Sequence, residues 1–181
     1  MKYKRYLITG GPGTGKTTLI NQLNQMNFVT KDEAARSVIE LNMANNGKVL
    51  PWLNRDLFDD NLIDIFRNDY FQITENTPVF YDGGALDILA WRKYLNLDNK
   101  RFEYLLTEFE YENKVFIPIP WKEIYVQDEI RPFTFLQAVE ITETIIQFYR
   151  KIGYETILLP KLSPIKRAEY VIDTISKKNY T

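Results

Sequence analysis

Apolar residues along this chain follow two rhythms that take turns. Short, nearly unbroken apolar runs at residues 6–9, 27–30, 79–81, 114–119 and 154–159 have the character of parallel strands buried on both faces. Between them, apolar residues return at helical spacing, as in Leu19, Ile20, Leu23 and Met26, then Ala34, Ala35, Val38, Ile39 and Leu41. A longer face follows from Asp56 onward in Phe58, Leu62, Ile65, Phe66, Tyr70 and Ile73, and further helices are predicted over 85–94 and 101–111. Thr134 and Gln137 form a capping box ahead of Ala138, Ile141, Ile145, Phe148 and Ile152, and Gly153 ends that helix. Ser163 and Pro164 open a last one, with Ala168, Val171, Ile172 and Ile175 facing inward. Strands alternating with helices predict an α/β fold, a five-stranded parallel sheet with helices on both faces and right-handed crossovers. Residues 1–181 read as one domain, and only the stretch at about 119–134, with Pro120 and Trp121, keeps no period of either kind and reads as a lid.

The first strand runs into Gly10–Thr18, GGPGTGKTT, which fits GxxxxGK[ST] with Gly10, Gly15, Lys16 and Thr17 in the fixed places. Such a loop between a strand and a helix cradles phosphate. Backbone N–H groups over Gly11, Gly13, Thr14, Gly15, Lys16, Thr17 and Thr18 can converge on polyphosphate oxygens, and the helix dipole adds to the attraction. Lys16 supplies a point charge for the β- and γ-phosphates, and the Thr17 hydroxyl is placed to ligate Mg²⁺. Two carboxylates fall where strands end. Asp82 closes the apolar run 79–81 before Gly83 and Gly84, where it can hold Mg²⁺ opposite Thr17, directly or through water. Glu33 sits at a strand-to-helix junction, the edge of an open parallel sheet where ligands lie.

Composition narrows the chemistry. The chain has 181 residues, 45% hydrophobic and 14% aromatic, which suits a globular domain with a full core. With 23 basic against 24 acidic residues, no charge excess favours nucleic acid as a partner. Cysteine and histidine are both absent, which excludes disulfides, thiolate metal sites and imidazole bases, so proton transfer falls to carboxylates, Lys, Tyr or substrate groups. The apolar run after the basic Met1–Arg5 is too short for a signal peptide core, and no run approaches a membrane span. The expectation is a cytoplasmic protein.

With GGPGTGKTT, EAAR at 33–36, PW at 51–52 with Arg55 and Phe58, the strand ending at Asp82, PWKEIYVQDEIR at 120–131 and YRKIGYE leading into LLP at 149–160, the chain resembles a family. That family is the predicted ATPases grouped with the ribosylnicotinamide kinase domain of NadR, AAA-type P-loop domains in the nucleoside-kinase-like branch of P-loop NTPases. The resemblance runs nearly end to end. It implies a sheet of the adenylate-kinase type, with ATP and Mg²⁺ at Lys16 and Thr17 and an acid at Asp82. It places Glu33 facing an acceptor hydroxyl, Arg36 nearby, and Arg131 in the lid, where an arginine offsets charge on the transferred phosphoryl group. Asp128 is placed to orient Arg131. By fold analogy, the turn 160–167 packs the adenine base. Trp52 and Trp121 read as loop anchors or as stacking platforms for a substrate ring. One departure stands out: relatives read Asp-Arg-Gly where this chain has Asp82, Gly83 and Gly84.

Two functions follow. The first is ATP- and Mg²⁺-dependent phosphoryl transfer to a small, nucleoside-like hydroxylic acceptor, with Glu33 or Asp82 receiving or orienting the proton, or ATP hydrolysis. The second is a nucleotide-dependent switch with little kinase activity, whose lid and PW loop meet a protein or lipid partner, and the missing arginine favours it. Glu33 and Arg131 favour the first. The absence of an Asn-Lys-x-Asp signature tilts the nucleotide from GTP to ATP.

Overall fold

The computed structural model describes residues 4–73, 77–128, 130 and 132–176. Five parallel strands, β1 (Arg5–Ile8), β2 (Val29–Lys31), β3 (Val79–Asp82), β4 (Lys114–Pro118) and β5 (Glu155–Leu159), lie in the order β2-β3-β1-β4-β5. Seven α-helices among the described residues connect them: α1 (Lys16–Gln25), α2 (Ala34–Ala44), α3 (Arg55–Phe71), α4 (Ala85–Tyr94), α5 (Leu105–Glu108), α6 (Phe135–Lys151) and α7 (Pro164–Ser176). Side-chain alternation explains the apolar runs. Tyr6, Ile8, Phe80 and Phe116 enter a core shared with α1 and α7, whereas Leu7, Val79, Tyr81, Val115 and Ile117 enter a second core under α2, α3, α4 and α6. The central strands are thus apolar at every position because both faces are covered.

This order places the topological switch between β1 and β3. The connection from β1 crosses one face and that from β3 crosses the other, so a crevice opens beyond their carboxyl ends. Ile8 and Asp82 are register partners at that edge. The β1–α1 loop and the β3–α4 loop therefore face each other.

Several strand ends differ from the sequence pattern by one residue, and two elements differ by more. The helix predicted over 101–111 is a 3₁₀ turn at Lys100–Phe102 and then the short α5. Phe109 turns extended so that it and Tyr111 reach the core, where both rings meet Tyr70 edge-on and the Tyr111 hydroxyl accepts from the Ala85 N–H at 3.2 Å. Packing of two aromatics overrides one more turn of helix. The second strand begins at Val29 rather than residue 27, because Asn27 at φ 65° reverses the chain after α1 and Phe28 N–H donates to Leu23 O at 3.1 Å.

The stretch 119–134 has no helix or strand among its described residues. It lies on the β1–α1 loop: a Cβ at Gly13 would meet the Tyr125 ring at 2.5 Å, and Gly13 has φ +69°, so only glycine fits there without strain. The Tyr125 hydroxyl donates to Phe133 O and closes the stretch on itself. Among the described residues no helix is long and apolar enough to cross a membrane.

Candidate functional site

Two cavities meet at the crevice. The first, of about 560 Å³, is bounded by the loop from Gly13 to Thr18 and, across from it, by Trp121, Ile124, Leu162, Pro164 and Arg167. The second, of about 420 Å³, lies over β3 and reaches between α2, α3 and α4. Its wall is mostly apolar and aromatic, including Trp52, Phe58, Phe66, Trp91 and Phe133, with Glu33, Asp82 and Asp87 among its polar groups. Among the described residues, Lys16 and Arg36 alone line both.

The loop is built from close contacts. Gly13 and Gly15 sit at positive φ, and Lys16 begins α1, so the helix N-terminus opens directly into the first cavity. Lys16 Nζ donates to Gly10 O at 3.1 Å and Gly11 O at 2.9 Å, which holds the ammonium across the loop's mouth. Thr14 is fully buried; its hydroxyl donates to Gly11 O at 3.1 Å and its carbonyl accepts from Arg167 Nη1 at 3.0 Å. Thr18 lines the first cavity.

Gly11 departs from the expectation that its N–H turns toward phosphate. That N–H donates to Thr142 Oγ1 on α6 at 3.0 Å, and a Cβ at Gly11 would lie 2.4 Å from Ala138 O. The residue lets the loop press on α6. Its place in the motif is set by packing.

Thr17 and Asp82 come together in the structure. The Thr17 hydroxyl donates to Asp82 Oδ2 at 2.7 Å, bridging the β1 loop and the end of β3, and Asp82 is 2% exposed. Two hard oxygens converging beside a phosphate loop suit Mg²⁺, which keeps waters and phosphate oxygens in its remaining positions. The donor set therefore fits the ion.

Glu33 is the N-terminal flanking residue of α2, its backbone extended at φ −68° and ψ 106°, and its side chain does not cap the helix. It borders the second cavity, as does Trp52, which is 53% exposed at the turn 51–53. Trp121 instead belongs to the first cavity, 5.6 Å below the Arg167 guanidinium. Arg36 donates from both terminal nitrogens to Asp128 Oδ2 at 3.1 Å and from Nε to Glu40 Oε1 at 2.9 Å. Asp128 thus reaches Arg36. Arg131 lies outside the described residues.

Several site residues escape the sequence pattern. Asp87, on the first turn of α4, accepts from the Thr9 hydroxyl at 2.8 Å, the Tyr149 hydroxyl at 2.7 Å and the Gly84 N–H at 3.1 Å. Burial pushes its carboxyl above the usual 3.8, against the lowering effect of those hydrogen bonds. Asp59, 0% exposed, is held by Arg55 at 2.9 Å and Arg92 at 2.9 Å beneath the second cavity, and its carboxyl too is raised by burial. Arg167 is 3% exposed, and burial lowers its guanidinium below its ordinary value. The available signal was a charge on the apolar face of a helix, such as Asp87 in ALDILAW.

A parallel sheet in this order, a glycine loop opening a helix beside β1 and an acid at the end of β3 give the chain a P-loop NTPase fold of the nucleoside-kinase-like kind. The chain belongs to the AAA domain family whose model matches residues 5–167. No curated protein sequence matches it. Among solved structures it is similar to NadR in complex with NR, at TM-score 0.68 and 20% identity over 99% of this chain and 51% of that one. The chain therefore spans about half the length of NadR. It is also similar to shikimate kinase from Acinetobacter baumannii in complex with shikimate, at TM-score 0.61 and 14% identity over 99% of this chain and 97% of that one. Deoxyadenosine kinase from M. mycoides with the products dCMP and dCDP matches at TM-score 0.63 and 10% identity, over 95% and 98% of the two chains. At these identities the likeness concerns the fold.

Proposed function

We propose that the chain transfers the γ-phosphoryl group of ATP, with Mg²⁺, to a hydroxyl of a small nucleoside-like acceptor. The observation that carries this reading is the meeting of two cavities of different character at Lys16, with the Thr17–Asp82 pair at their junction. The first cavity takes the triphosphate along the loop, and Trp121, Leu162 and Pro164 flank the base. The second takes the acceptor against its aromatic wall. The neighbours agree in kind. NadR is seen with NAD and AMP-PNP, and the two kinases with shikimate or with nucleotide products.

In the transfer, the acceptor oxygen bonds to the γ-phosphorus as the bond to the β,γ-bridging oxygen breaks, and ADP leaves with that electron pair. Glu33, bordering the acceptor cavity, receives the hydroxyl proton. Lys16 offsets charge on the phosphate oxygens, the role that the family resemblance also implies for Arg131. Thr17 and Asp82 would hold Mg²⁺, which supplies charge neutralisation on the β- and γ-phosphates when bound. Water is kept out by Trp121, Ile124 and Tyr125, the last of which rests on Gly13.

The test is ADP release with and without a panel of nucleosides and other small alcohols, alongside Lys16→Ala and Asp82→Asn. Acceptor-dependent release, abolished in Lys16→Ala and shifted to higher Mg²⁺ in Asp82→Asn, is expected. Nucleotide binding without acceptor-dependent release across the panel would overturn transfer in favour of the second reading, a nucleotide-dependent switch with little kinase activity. Gly83 favours that reading, since the arginine of relatives is missing from the edge of the acceptor cavity.

A further inference from the structure

Three arginines among the described residues line the two cavities, and they differ in what holds them. Arg167 is buried and donates to Thr14 O at 3.0 Å and Pro160 O at 3.1 Å. Arg55 is paired with Asp59, which has no exposed surface. Neither can leave its partners without stranding buried polar groups. Arg36 is different. Its side chain is 36% exposed, and so are those of its partners, Asp128 at 38% and Glu40 at 53%. Pairs of that kind hold weakly and exchange readily.

Position adds the second half of the argument. Arg36 and Lys16 are the described residues common to both cavities, so Arg36 stands at the seam where one phosphoryl group would pass between them. Both terminal nitrogens of Arg36 converge on the single oxygen Asp128 Oδ2, at 3.1 Å each, a geometry that a phosphate oxygen can replace. A terminal phosphate, with more charge than a carboxylate and further donors around it, competes well for that fork.

Resting on the nucleotide-binding part of the proposed function, we propose that Arg36 binds the terminal phosphate of the triphosphate by exchanging partners with Asp128. With a triphosphate bound, the guanidinium turns from Asp128 to the phosphate. With a diphosphate it stays on Asp128. The exchange reports nucleotide state to the stretch 119–134, because Asp128 Oδ1 also accepts from the Ile130 N–H at 3.0 Å and Ile130 lines the acceptor cavity. An arginine reading the phosphate from α2 also supplies a cation at the seam of a chain that has Gly83 in the arginine position of relatives.

The experiment measures the affinities of Mg²⁺ with AMP-PNP and of Mg²⁺ with ADP by calorimetry, for the unmodified chain, Arg36→Gln and Asp128→Asn, each checked for an unchanged melting temperature. Arg36→Gln should lose roughly 10- to 100-fold in AMP-PNP affinity and less than about twofold for ADP. Asp128→Asn removes the competitor, so AMP-PNP should bind a few-fold tighter while ADP is unchanged. Equal losses for both nucleotides, or no loss, in Arg36→Gln would overturn the assignment. A loss of AMP-PNP affinity in Asp128→Asn would show that Asp128 positions Arg36 rather than competing for it, and would overturn the exchange. Failure of the unmodified chain to bind either nucleotide would defeat the nucleotide-site reading itself, an outcome distinct from the other two.

Discussion

Replacing Gly11 separates packing from phosphate binding. A Cβ there would lie 2.4 Å from Ala138 O and 2.6 Å from Thr142 Oγ1, where ordinary contact begins at 3.4 Å. The nearer atom is a helix backbone oxygen, so relief requires the loop and α6 to separate by about 1 Å, beyond the Gly11 N–H to Thr142 bond of 3.0 Å. Overpacking of this kind and a buried N–H left without its acceptor together cost about 2–5 kcal/mol. For a chain of this size that lowers the melting temperature by roughly 5–15 °C. Thr142→Val provides the matched control, since it keeps the shape, removes the acceptor and should cost about 1–3 kcal/mol. Urea denaturation gives both energies, and ATP affinity is measured below the melting range on the same proteins. Thr142→Val is expected to be less stable yet within a few-fold of the unmodified affinity. Unchanged stability with a large loss of ATP affinity would refute the reasoning and return the Gly11 N–H to the phosphate.

Glu33→Gln keeps size and hydrogen-bonding reach but removes most basicity, so acceptor phosphorylation should fall about 10² to 10⁴-fold with Mg·ATP binding retained; retained transfer would defeat its role as base. Asp87 titrates above 3.8 in the folded chain because of burial, so the unfolded chain ionises first as pH rises. Stability is therefore lost upward from about pH 4 until Asp87 itself ionises, and Asp87→Asn should flatten that part of a denaturation-against-pH curve. An identical slope in the two proteins would mean that Asp87 does not sense its burial.

Much of this architecture could be read in advance because its signals are local. Strand runs, helical spacing and the Gly10–Thr18 loop are contained within short windows, and the Thr17–Asp82 pair follows once Asp82 is placed at the end of β3 and Thr17 in the first turn of α1. The residues that were not legible act across the fold. Thr142 reaches Gly11 from 131 residues away and Arg167 reaches Thr14 from 153, and neither carries a motif of its own. Tyr111 hid for a related reason: residues 101–111 repeat convincingly as a helix, and only the aromatic pocket of Tyr70 and Tyr81 shows why the chain straightens at Phe109.

Gly83 limits what the β3–α4 loop can carry. Its backbone sits at φ +77°, a conformation that costs an L-residue roughly 1–2 kcal/mol, and a Cβ there would come within 3.2 Å of Asp87 Oδ2. Placing an arginine at position 83 would therefore set its stem in strained backbone, tight against the carboxylate that also accepts from Gly84 N–H. Tyr149 and Thr9 donate to the same carboxylate, so their hydrogen bonds oppose the few tenths of an ångström by which it would have to give. A cation at this edge is therefore held at lower cost from α2, where Arg36 borders both cavities, than from position 83.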